Sequence, residues 1–583
     1  MQQEKDTDAI RHSLAHLLAM AVLEKFPKAQ LGIGPVIEHG FYYDFKLPQP
    51  LTPEDLPALE ARMRELARLP LAMKGRKVAP AVAKKVFKNQ PFKLDLIKEF
   101  TKEKRPLSIY TLSGPDSKSS FDDLCRGGHV KSTAEIPLEG FKLTHIAGAY
   151  WRGNEKNPQL TRIYGLAFGS KAELEDHLRM REEAERRDHK ILGKKLGLFA
   201  FSPEVGPGLP LYLPAGNAIR EAILGYISDL KRERGYSFVW TPHLAKESLY
   251  RRSGHLGKYD AMLPSIQAED ERWVVKPMNC PHHFEVYRAS TWSYRDLPVR
   301  IAENATDYRN EKSGELNGLL RVRSLTQDDT HHIVRYDQIQ AEIDMILGIV
   351  KHVYDRFGFK KFRARISIRD PKNKKKYFGS DALWEKAEAG LIEAVERWGV
   401  PHFIGTGEAA FYGPKIDVLV EDAIGREWQL TTIQLDYVQP ENFDLSYTDE
   451  QGRKARPAVL HVAVLGSLDR FFAIAIEHFA GAFPFWLAPV QVGVLTVNEA
   501  AEPYAREVKN ALAKQDIRVW LDERNETIGR KIREAELQKI PYLLVIGKRE
   551  AEAKTVAVRE RGKGDQGAVS LKEFQERIAP ELS

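Results

Sequence analysis

The central part of the sequence, residues 196–488, contains separated strand-like runs without a regular alternation of strand and helix. A doubly wound parallel sheet requires such an alternation, so the pattern favours an antiparallel sheet with helices packed around it. The strand-like runs are RWVVKP, LPVRIAENAT, VRSLTQDD, KIDVLVED and REWQLTTIQLDY, and residues 338–357 have a helical pattern.

The flanking segments have different patterns. In residues 489–583, the runs VQVGVLTV, IRVWLD and PYLLVIG alternate with helical patterns, which predicts a compact α/β domain. Residues 1–170 open with Ile10, Leu14, Leu17 and Leu18 at helical spacing and continue with loop-rich, aromatic sequence, which predicts an α+β domain. Charged residues crowd the helical pattern of residues 171–195, which predicts a connecting helix. The chain is therefore expected to be a multidomain α/β and α+β protein.

Composition limits the environment and the partners. The two cysteines, Cys125 and Cys280, lie far apart, which rules out a disulfide framework and is typical of a reducing, cytoplasmic compartment. The sequence predicts neither a signal peptide nor a membrane span. A net charge of +7 is too small for a chain of 583 residues to establish a nucleic-acid partner. The stretch from Lys74 to Arg105 has eleven basic and three acidic residues and is either a surface for a polyanion or an ordinary solvated surface.

A His/Cys pattern occurs in the N-terminal segment. His12 and His16 are four residues apart in a helical pattern, and Cys125 and His129 have the same spacing. Four such side chains could form a tetrahedral zinc site, or they could belong to an unrelated helix and turn. A metal-free hydrolytic pocket that includes Asp123 is a further alternative, whereas the sequence HExxH of zinc peptidases is absent here.

A second group of potential ligands lies in the central segment. Cys280, His331 and His461 each stand at the end of an apolar or strand-like run. One Cys and two His with a free fourth position would be typical of a catalytic zinc site, although their separations form no motif. Arg309, in YRNE, and Arg470, in GSLDRFF, could bind the phosphates of a nucleotide or form structural ion pairs. Neither GxxxxGK[ST] nor GxGxxG occurs, so nucleotide binding cannot depend on those phosphate loops.

These strings together resemble class II aminoacyl-tRNA synthetases, and within that class the threonyl-tRNA synthetases of bacterial type. The resemblance runs along nearly the whole chain, through HSLAHLLA, GPVIEHGFYYD, DLCRGGHV, AGAYWRG, KPMNCPHH, YRNE, RVRSLTQDD, AFYGPKID, VLGSLDRF, WLAPVQV and LVIGKRE. It implies an N-terminal α+β editing domain, a class II catalytic domain with an antiparallel sheet and a C-terminal α/β anticodon-binding domain. It also implies that the small TGS module of many members is missing.

The resemblance assigns roles to matching residues of the catalytic domain. Cys280, His331 and His461 correspond to the ligands of one Zn²⁺ per subunit, which holds threonine through its amino and hydroxyl groups. The residues expected to contact ATP, which binds with Mg²⁺, are Arg309, Glu311, Arg321, Gln429 and Arg470. The residues expected at threonine or its adenylate are Gln327, Asp329, Tyr412 and Lys415.

It assigns roles in the flanking domains as well. The residues matching the editing pocket are His12, His16, Tyr43, Lys93, Asp123, Cys125 and His129. The residues at anticodon-reading positions are Asn525, Lys539, Glu550 and Arg559. The implied activity is ATP-dependent ligation of L-threonine to tRNA(Thr) through a threonyl-adenylate, with hydrolysis of mischarged seryl-tRNA(Thr), in a cytoplasmic homodimer that contacts no membrane.

The sequence departs from the family pattern at several positions. His282 stands where Gly is usual, Asn317 where His is usual and Val462 where Arg is common, and motif 1 (GLPLYLPAGNAIREAIL) is diverged. His282, His283 and His332 adjoin the expected ligands, so the assignment of His331 depends on motif register. Two alternatives to a complete ligase are a catalytically inactive relative that binds tRNA or mRNA and a stand-alone editing hydrolase.

Overall fold

A computed structural model describes residues 2–114, 120–422 and 425–582, with the side chains from residue 7 onwards. The chain forms two compact units, Met1–Glu182 and Glu183–Ser583. Within the described ranges, no helix is long and apolar enough to cross a lipid bilayer.

The first unit mixes helices and antiparallel strands. Its elements are α1 (Gln2–Lys25), β1 (Gln30–Leu31), β2 (Val36–Ile37), β3 (Gly40–Lys46), α2 (Leu56–Arg68), β4 (Ala72–Val78), α3 (Pro80–Val86), α4 (Pro91–Lys102), β5 (Leu107–Ser113), β6 (Ser120–Leu124), β7 (Phe141–Tyr150), β8 (Gln159–Ala167) and α5 (Lys171–Arg187), which continues into the second unit. A five-stranded sheet has the order β1-β3-β8-β7 with β2 beside β3, and a three-stranded sheet has the order β4-β5-β6. The predicted α+β class is confirmed.

The core of the first unit forms around α1. Leu14, Leu17 and Leu18 are fully buried there and pack with residues of α2 and of the five-stranded sheet, as the helical spacing predicts. Burial of this stripe fixes the rotation of α1 about its axis. His12 and His16, one turn apart, are therefore held on one side of the helix.

The segment 171–195 comprises two helices instead of one. Helix α5 ends at Arg187, and α6 (His189–Lys195) begins directly after Asp188. The Asp188 carboxylate accepts a hydrogen bond from the Lys190 N–H at 2.7 Å and so caps α6. The boundary was not predicted, because aspartate also occurs inside helices and therefore interrupts a charged helical pattern only weakly.

The second unit contains an eight-stranded sheet. Its remaining elements up to residue 478 are β9 (Phe199–Ala200), β10 (Leu211–Tyr212), α7 (Pro214–Arg232), β11 (Ser237–Phe238), β12 (Leu244–Lys246), α8 (Glu247–Arg252), β13 (Ile266–Ala268), β14 (Glu271–Val275), α9 (Cys280–Arg288), β15 (Val299–Tyr308), β16 (Ser324–Val334), α10 (Ile339–Phe357), β17 (Phe362–Ile368), α11 (Asp381–Trp398), β18 (His402–Thr406), β19 (Lys415–Glu421), β20 (Glu427–Asp436), α12 (Gln439–Asn442), β21 (Tyr447–Thr448), β22 (Lys454–Ala455), β23 (Ala458–Ser467) and α13 (Leu468–His478). The sheet order is β11-β15-β16-β23-β20-β19-β17-β18.

The six central strands of this sheet pair antiparallel, and only the outer pairs β11/β15 and β17/β18 are parallel. The prediction of an antiparallel sheet is therefore confirmed. Helices α7, α10, α11 and α13 contribute to the large apolar core together with the sheet. The opposite surface of β16 and β23 contains a smaller apolar cluster, which includes Ile333 and Val459, next to the polar side chains of His331 and His461.

The C-terminal part alternates strands and helices as predicted. Its elements are β24 (Val492–Thr496), α14 (Glu502–Ala513), β25 (Val519–Asp522), α15 (Ile528–Leu537), β26 (Tyr542–Ile546), α16 (Lys548–Ala553), β27 (Thr555–Glu560), β28 (Gly564–Ser570) and α17 (Leu571–Ile578). The sheet order is β25-β24-β26-β27-β28, with the first three strands parallel and the last two antiparallel to their neighbours.

A buried ion pair ties helix α7 to the centre of the eight-stranded sheet. Lys231 Nζ lies 2.9 Å from Asp328 Oδ2, and the Asp328 carboxylate also accepts the N–H groups of Val464 and Leu465. We expect Lys231→Met to lower the free energy of unfolding by about 3–5 kcal/mol, because it leaves a buried carboxylate without its cation. Denaturant unfolding measures this loss. The control Lys351→Met breaks an exposed pair with Asp355 and should change stability by less than about 1 kcal/mol; equal effects of the two substitutions would contradict the expectation.

Candidate functional site

A pocket of 710 Å³ opens over β16, β20 and β23 in the second unit. Most of the residues expected at zinc, ATP and threonine line it. They are Cys280, Arg309, Glu311, Arg321, Gln327, Asp329, His331, Tyr412, Gln429, His461 and Arg470. Lys415 is not among the lining residues; its Nζ is hydrogen-bonded to Asp417.

Cys280, His331 and His461 converge at one end of this pocket. Their potential ligand atoms all lie within 4.8 Å of one another, and all three side chains are buried. Cys280 begins α9, whereas His331 and His461 are directly paired on neighbouring strands β16 and β23. Burial raises the pKa of the Cys280 thiol well above its ordinary value, with a further contribution from nearby carboxylates.

The imidazole of His461 has a defined orientation. Its Nε2 lies 2.8 Å from Asp436 Oδ2, and its Nδ1 lies 2.9 Å from His331 Nε2. Because an ionised carboxylate only accepts, the neutral His461 ring has its hydrogen on Nε2 and a lone pair on Nδ1. That lone pair faces His331, so a hydrogen or a cation must lie between the two rings. The donor set and this orientation fit a divalent zinc ion.

The neighbouring histidines have other surroundings. His283 Nδ1 lies 2.8 Å from His331 Nδ1, on the side away from His461, and its other nitrogen is 3.2 Å from Glu303. His332 Nδ1 contacts Glu342 at 2.8 Å. Neither ring nitrogen of His282 has a hydrogen-bond partner among the residues that the structure describes. His331 is thus the histidine of β16 that shares a potential ligand cluster with Cys280 and His461.

Arginines surround the other end of the pocket. Arg470 Nε donates to Leu320 O at 3.2 Å and its Nη1 to Gln429 O at 3.3 Å, while Arg309 Nε donates to Pro277 O at 3.3 Å. Within the described ranges, neither guanidinium forms an ion pair with a carboxylate. Burial lowers the pKa of Arg470, and repulsion from Arg309 and Arg321 adds to this. The guanidinium groups of Arg309 and Arg470, which form no ion pair with a described carboxylate, are suited to binding an anion.

The other residues expected in this pocket are held by hydrogen bonds. Arg321 Nε donates to Glu311 Oε2 at 2.8 Å. Gln429 Nε2 donates to Asp417 Oδ1 at 2.7 Å, and the Tyr412 hydroxyl donates to Gln434 Oε1 at 2.5 Å. These bonds restrict the rotamers of the pocket wall.

Sequence reasoning missed several residues beside the pocket. Asp436 and His283 orient the two candidate histidine ligands, yet each is distant in sequence from its partner and has no motif of its own. Asp307 is fully buried, and neither of its carboxylate oxygens has a hydrogen-bond partner among the described residues. Burial raises the pKa of Asp307 to about 7, with a contribution from Asp329. An acidic residue near the end of the strand-like run of β15 was the available signal.

The first unit contains a separate pocket of 420 Å³, lined by residues that include His12, His16, Lys93, Asp123 and Cys125. Cys125 Sγ lies 3.4 Å from His12 Nε2 and 3.1 Å from His129 Nε2. The remaining expected residue, Tyr43, donates its hydroxyl to Asp123 at 2.6 Å. The two distant His/Cys pairs therefore meet in one cluster.

Burial keeps this cluster largely neutral. It lowers the pKa of His12, lowers that of His16 well below its ordinary value and lowers that of His129 to about 2. It raises the pKa of the Cys125 thiol to about 11, so the thiol is protonated at neutral pH. The charged groups beside the cluster are Lys93 and Asp123, whose Nζ and Oδ1 lie 2.5 Å apart. A neutral imidazole offers a lone pair to water, whereas this protonated thiol is a poor nucleophile.

The four residues expected at anticodon-reading positions differ in their surroundings. Asn525 is exposed between β25 and α15. Lys539 Nζ instead donates to Ala480 O at 2.6 Å, beyond the end of α13. Glu550 Oε2 accepts from the Gly547 N–H at 2.8 Å and thereby caps α16, and Arg559 on β27 lies 3.7 Å from Glu536.

Three family models match successive parts of the chain. Residues 107–164 match the threonyl and alanyl tRNA synthetase second additional domain. Residues 263–479 match the tRNA synthetase class II core domain (G, H, P, S and T), and residues 491–580 match the anticodon binding domain. The large pocket lies mainly in the second match, and Asp123, Cys125 and His129 lie in the first.

Curated relatives and solved structures agree with these matches. The chain is 47% identical to threonine–tRNA ligase from Porphyromonas gingivalis over 581 residues, covering 98% of this chain and 87% of that protein. It is 46% identical to threonine–tRNA ligase from Thermus thermophilus, covering 98% and 89%. The solved RNA binding domain of threonyl-tRNA synthetase from Cryptosporidium parvum superimposes with a TM-score of 0.65 at 37% identity, covering 68% of this chain and 98% of that chain. The chain therefore belongs to the threonine–tRNA ligase family of class II aminoacyl-tRNA synthetases.

Proposed function

We propose that this chain ligates L-threonine to tRNA(Thr) with ATP. The threonine carboxylate attacks the α-phosphorus and pyrophosphate leaves, which forms threonyl-adenylate; a terminal ribose hydroxyl of the tRNA then attacks the carbonyl and AMP leaves. The observation that carries this proposal is that one pocket contains both the Cys280/His331/His461 cluster and the arginines Arg309, Arg321 and Arg470. Aminoacylation of tRNA(Thr) by the full chain, with radiolabelled threonine, tests it.

In this proposal, Cys280, His331 and His461 hold one Zn²⁺ per subunit. Bound there, zinc supplies open coordination positions that require an amine and a hydroxyl on the same substrate. Valine has nearly the shape of threonine without the hydroxyl, and an apolar pocket separates such isosteres only about 100-fold, whereas a site that binds the hydroxyl separates them by about 10⁴-fold or more. Gln327, Asp329, Tyr412 and Lys415 would orient the amino acid or its adenylate beside this centre.

The arginines would bind and stabilise the phosphates. Arg309 is proposed to contact the α-phosphate, where negative charge builds as pyrophosphate leaves, and Arg470 to lie over the nucleotide. Glu311, Arg321 and Gln429 would complete the ATP site, with Mg²⁺ bound to the ATP phosphates. Among the described residues, the guanidinium groups of Arg309 and Arg470 donate to backbone carbonyls and to no carboxylate, so no described carboxylate has to be displaced when ATP enters.

The pocket of the first unit is proposed to hydrolyse mischarged seryl-tRNA(Thr). Serine keeps both the amine and the hydroxyl and differs by one methyl group, which is worth only about 1–3 kcal/mol in discrimination. A second, hydrolytic site is then needed. The neutral imidazole of His12 can position water and accept its proton, whereas His16 and His129, whose pKa values burial lowers strongly, can only hydrogen-bond the water. Lys93 supplies positive charge beside the developing oxyanion. The basic stretch from Lys74 to Arg105 would contact the acceptor arm.

We expect His12→Ala to slow deacylation of seryl-tRNA(Thr) by about 10²-fold or more, because it removes a proton acceptor, and to leave threonylation unchanged. Hydrolysis of preformed seryl-tRNA(Thr) and accumulation of the mischarged product are the measurements. The control is His39→Ala, an exposed histidine of the same unit. Parental deacylation by His12→Ala protein would contradict the assignment of this pocket.

The remaining assignments concern partners and location. Asn525, Lys539, Glu550 and Arg559 are proposed to read the anticodon; the exposure of Asn525 supports this more than the bond of Lys539 to Ala480 does. A homodimer is supported by exposed apolar side chains in the motif 1 region, including Leu211, Leu213 and Trp240, of which Trp240 is 75% exposed. A cytoplasmic location is supported by the free thiols of both cysteines.

A further inference from the structure

His189 begins helix α6 and is buried outside the large pocket. Its Nδ1 lies 2.7 Å from Glu477 Oε1, and its Nε2 accepts from the Leu319 backbone N–H at 3.1 Å. Because a backbone N–H can only donate, Nε2 carries no hydrogen, and the ring hydrogen is on Nδ1, where Glu477 accepts it. His189 therefore connects helix α13 to the loop between β15 and β16.

The part of this loop that contacts His189, residues 317–321, is a tight turn that we term the arginine loop. The Leu320 N–H donates to Asn317 O at 2.9 Å, and the Asn317 N–H donates to Arg321 O at 3.2 Å. Gly318 has a φ of +50°, and a Cβ at that position would clash with His189 Nε2. The backbone of the arginine loop is thus seated directly on the imidazole.

The arginine loop determines the position of two guanidinium groups in the pocket. Leu320 O accepts from Arg470 Nε at 3.2 Å, and Arg321 itself is hydrogen-bonded to Glu311 at 2.8 Å. Arg470 lies near the start of α13 and Glu477 near its end. The Glu477–His189–Leu319 chain therefore fixes the loop to the same helix that carries Arg470.

We propose that His189 is a positioning residue for ATP binding. It accepts the Leu319 N–H and thereby fixes the positions of Leu320 O and Arg321. Leu320 O in turn orients Arg470, so His189 positions both arginines that face the nucleotide. This inference rests on the proposed function for the identity of the ligand. His189 contacts neither the nucleotide site nor the Cys280/His331/His461 cluster, so its loss should affect ATP and spare threonine.

A matched pair of substitutions tests separately the two hydrogen bonds of the His189 ring, to Glu477 and from Leu319. Asparagine at 189 can donate from the place of Nδ1 to Glu477 but offers no acceptor to Leu319, whereas glutamine can place an acceptor near Nε2. We expect His189→Asn to raise the KM for ATP about tenfold with an unchanged KM for threonine, because a buried N–H loses its acceptor. His189→Gln should retain an ATP KM close to that of the parent. Threonine-dependent ATP–pyrophosphate exchange measures both constants.

A second substitution acts from the other side of the contact. Gly318→Ala pushes the arginine loop off the imidazole while His189 stays in place, and it should also raise the KM for ATP. The inference is overturned if His189→Asn and Gly318→Ala keep the parental ATP KM, even where their unfolding temperatures fall. Equilibrium binding of ATP distinguishes failure of the proposed function from failure of the proposed role of His189. A parent that binds ATP without any exchange overturns the proposed function, whereas a parental ATP Kd in His189→Asn protein overturns the role of His189.

Discussion

Substitution of Arg309 by glutamine is expected to lower kcat for threonine-dependent ATP–pyrophosphate exchange by about 10²–10³-fold. Glutamine removes the fixed positive charge and the guanidinium donors from the proposed place of Arg309 beside the α-phosphorus, and loss of one such preorganised donor is worth about 3–4 kcal/mol in the transition state. Arg309 forms no ion pair with a carboxylate within the described chain, so the substitution breaks no salt bridge, although it removes a positive charge that lowers the pKa of buried Asp307.

The control for this substitution is Arg363→Gln. Arg363 is exposed on β17 of the same sheet and pairs with Glu427 at 2.6 Å. It should retain parental kcat. Exchange by Arg309→Gln protein at the rate of the control would mean that the arginine end of the pocket does not bind the reacting phosphate.

The second large effect is expected for Cys280→Ala. It removes the sulfur, a proposed zinc ligand, from the Cys280/His331/His461 cluster, so the protein should be purified without stoichiometric zinc. The kcat/KM for threonine should fall by about 10⁴-fold, because the pocket then lacks the zinc centre that we propose recognises both polar groups of the substrate. Elemental analysis and pyrophosphate exchange measure the two consequences.

The matched control is His352→Ala, a potential ligand residue on α10 that stacks on Tyr226 outside the cluster. It should retain zinc and activity. A zinc-free Cys280→Ala protein with parental kcat/KM for threonine would show that zinc has no part in recognition, and retention of one zinc per subunit would show that the ligands were assigned incorrectly.

The periodicity of hydrophobic residues was sufficient to predict the fold class. Leu14, Leu17 and Leu18 predicted the buried face of α1, and the runs from Lys415 and Arg426 predicted two strands, which the structure pairs as β19 and β20. Asp188 was missed as a helix start, because an aspartate in a charged stretch gives no sign of whether it caps a helix or lies within one.

The sequence predicted the potential zinc ligands but not the residues that orient them. The register of the family motifs identified Cys280, His331 and His461 as a common ligand set. His331 and His461 are 130 residues apart in the sequence but are direct neighbours in the structure, because β16 pairs with β23. The contacts of Asp436 with His461 and of His283 with His331 could not be predicted, because they depend on how the two imidazole rings are oriented in the folded chain. The same holds for His189, whose partners Glu477 and Leu319 are remote in sequence and meet it only in the folded chain.

The most direct test of this account is amino-acid-dependent ATP–pyrophosphate exchange with threonine, serine and valine, before zinc removal, after it and after zinc readdition. We expect strong exchange with threonine, weaker exchange with serine and none with valine, with activity lost on zinc removal and restored by readdition. Absence of exchange with all three amino acids in folded, zinc-replete protein would contradict the account. Exchange with threonine that persists without zinc would contradict the proposed role of the Cys280/His331/His461 cluster.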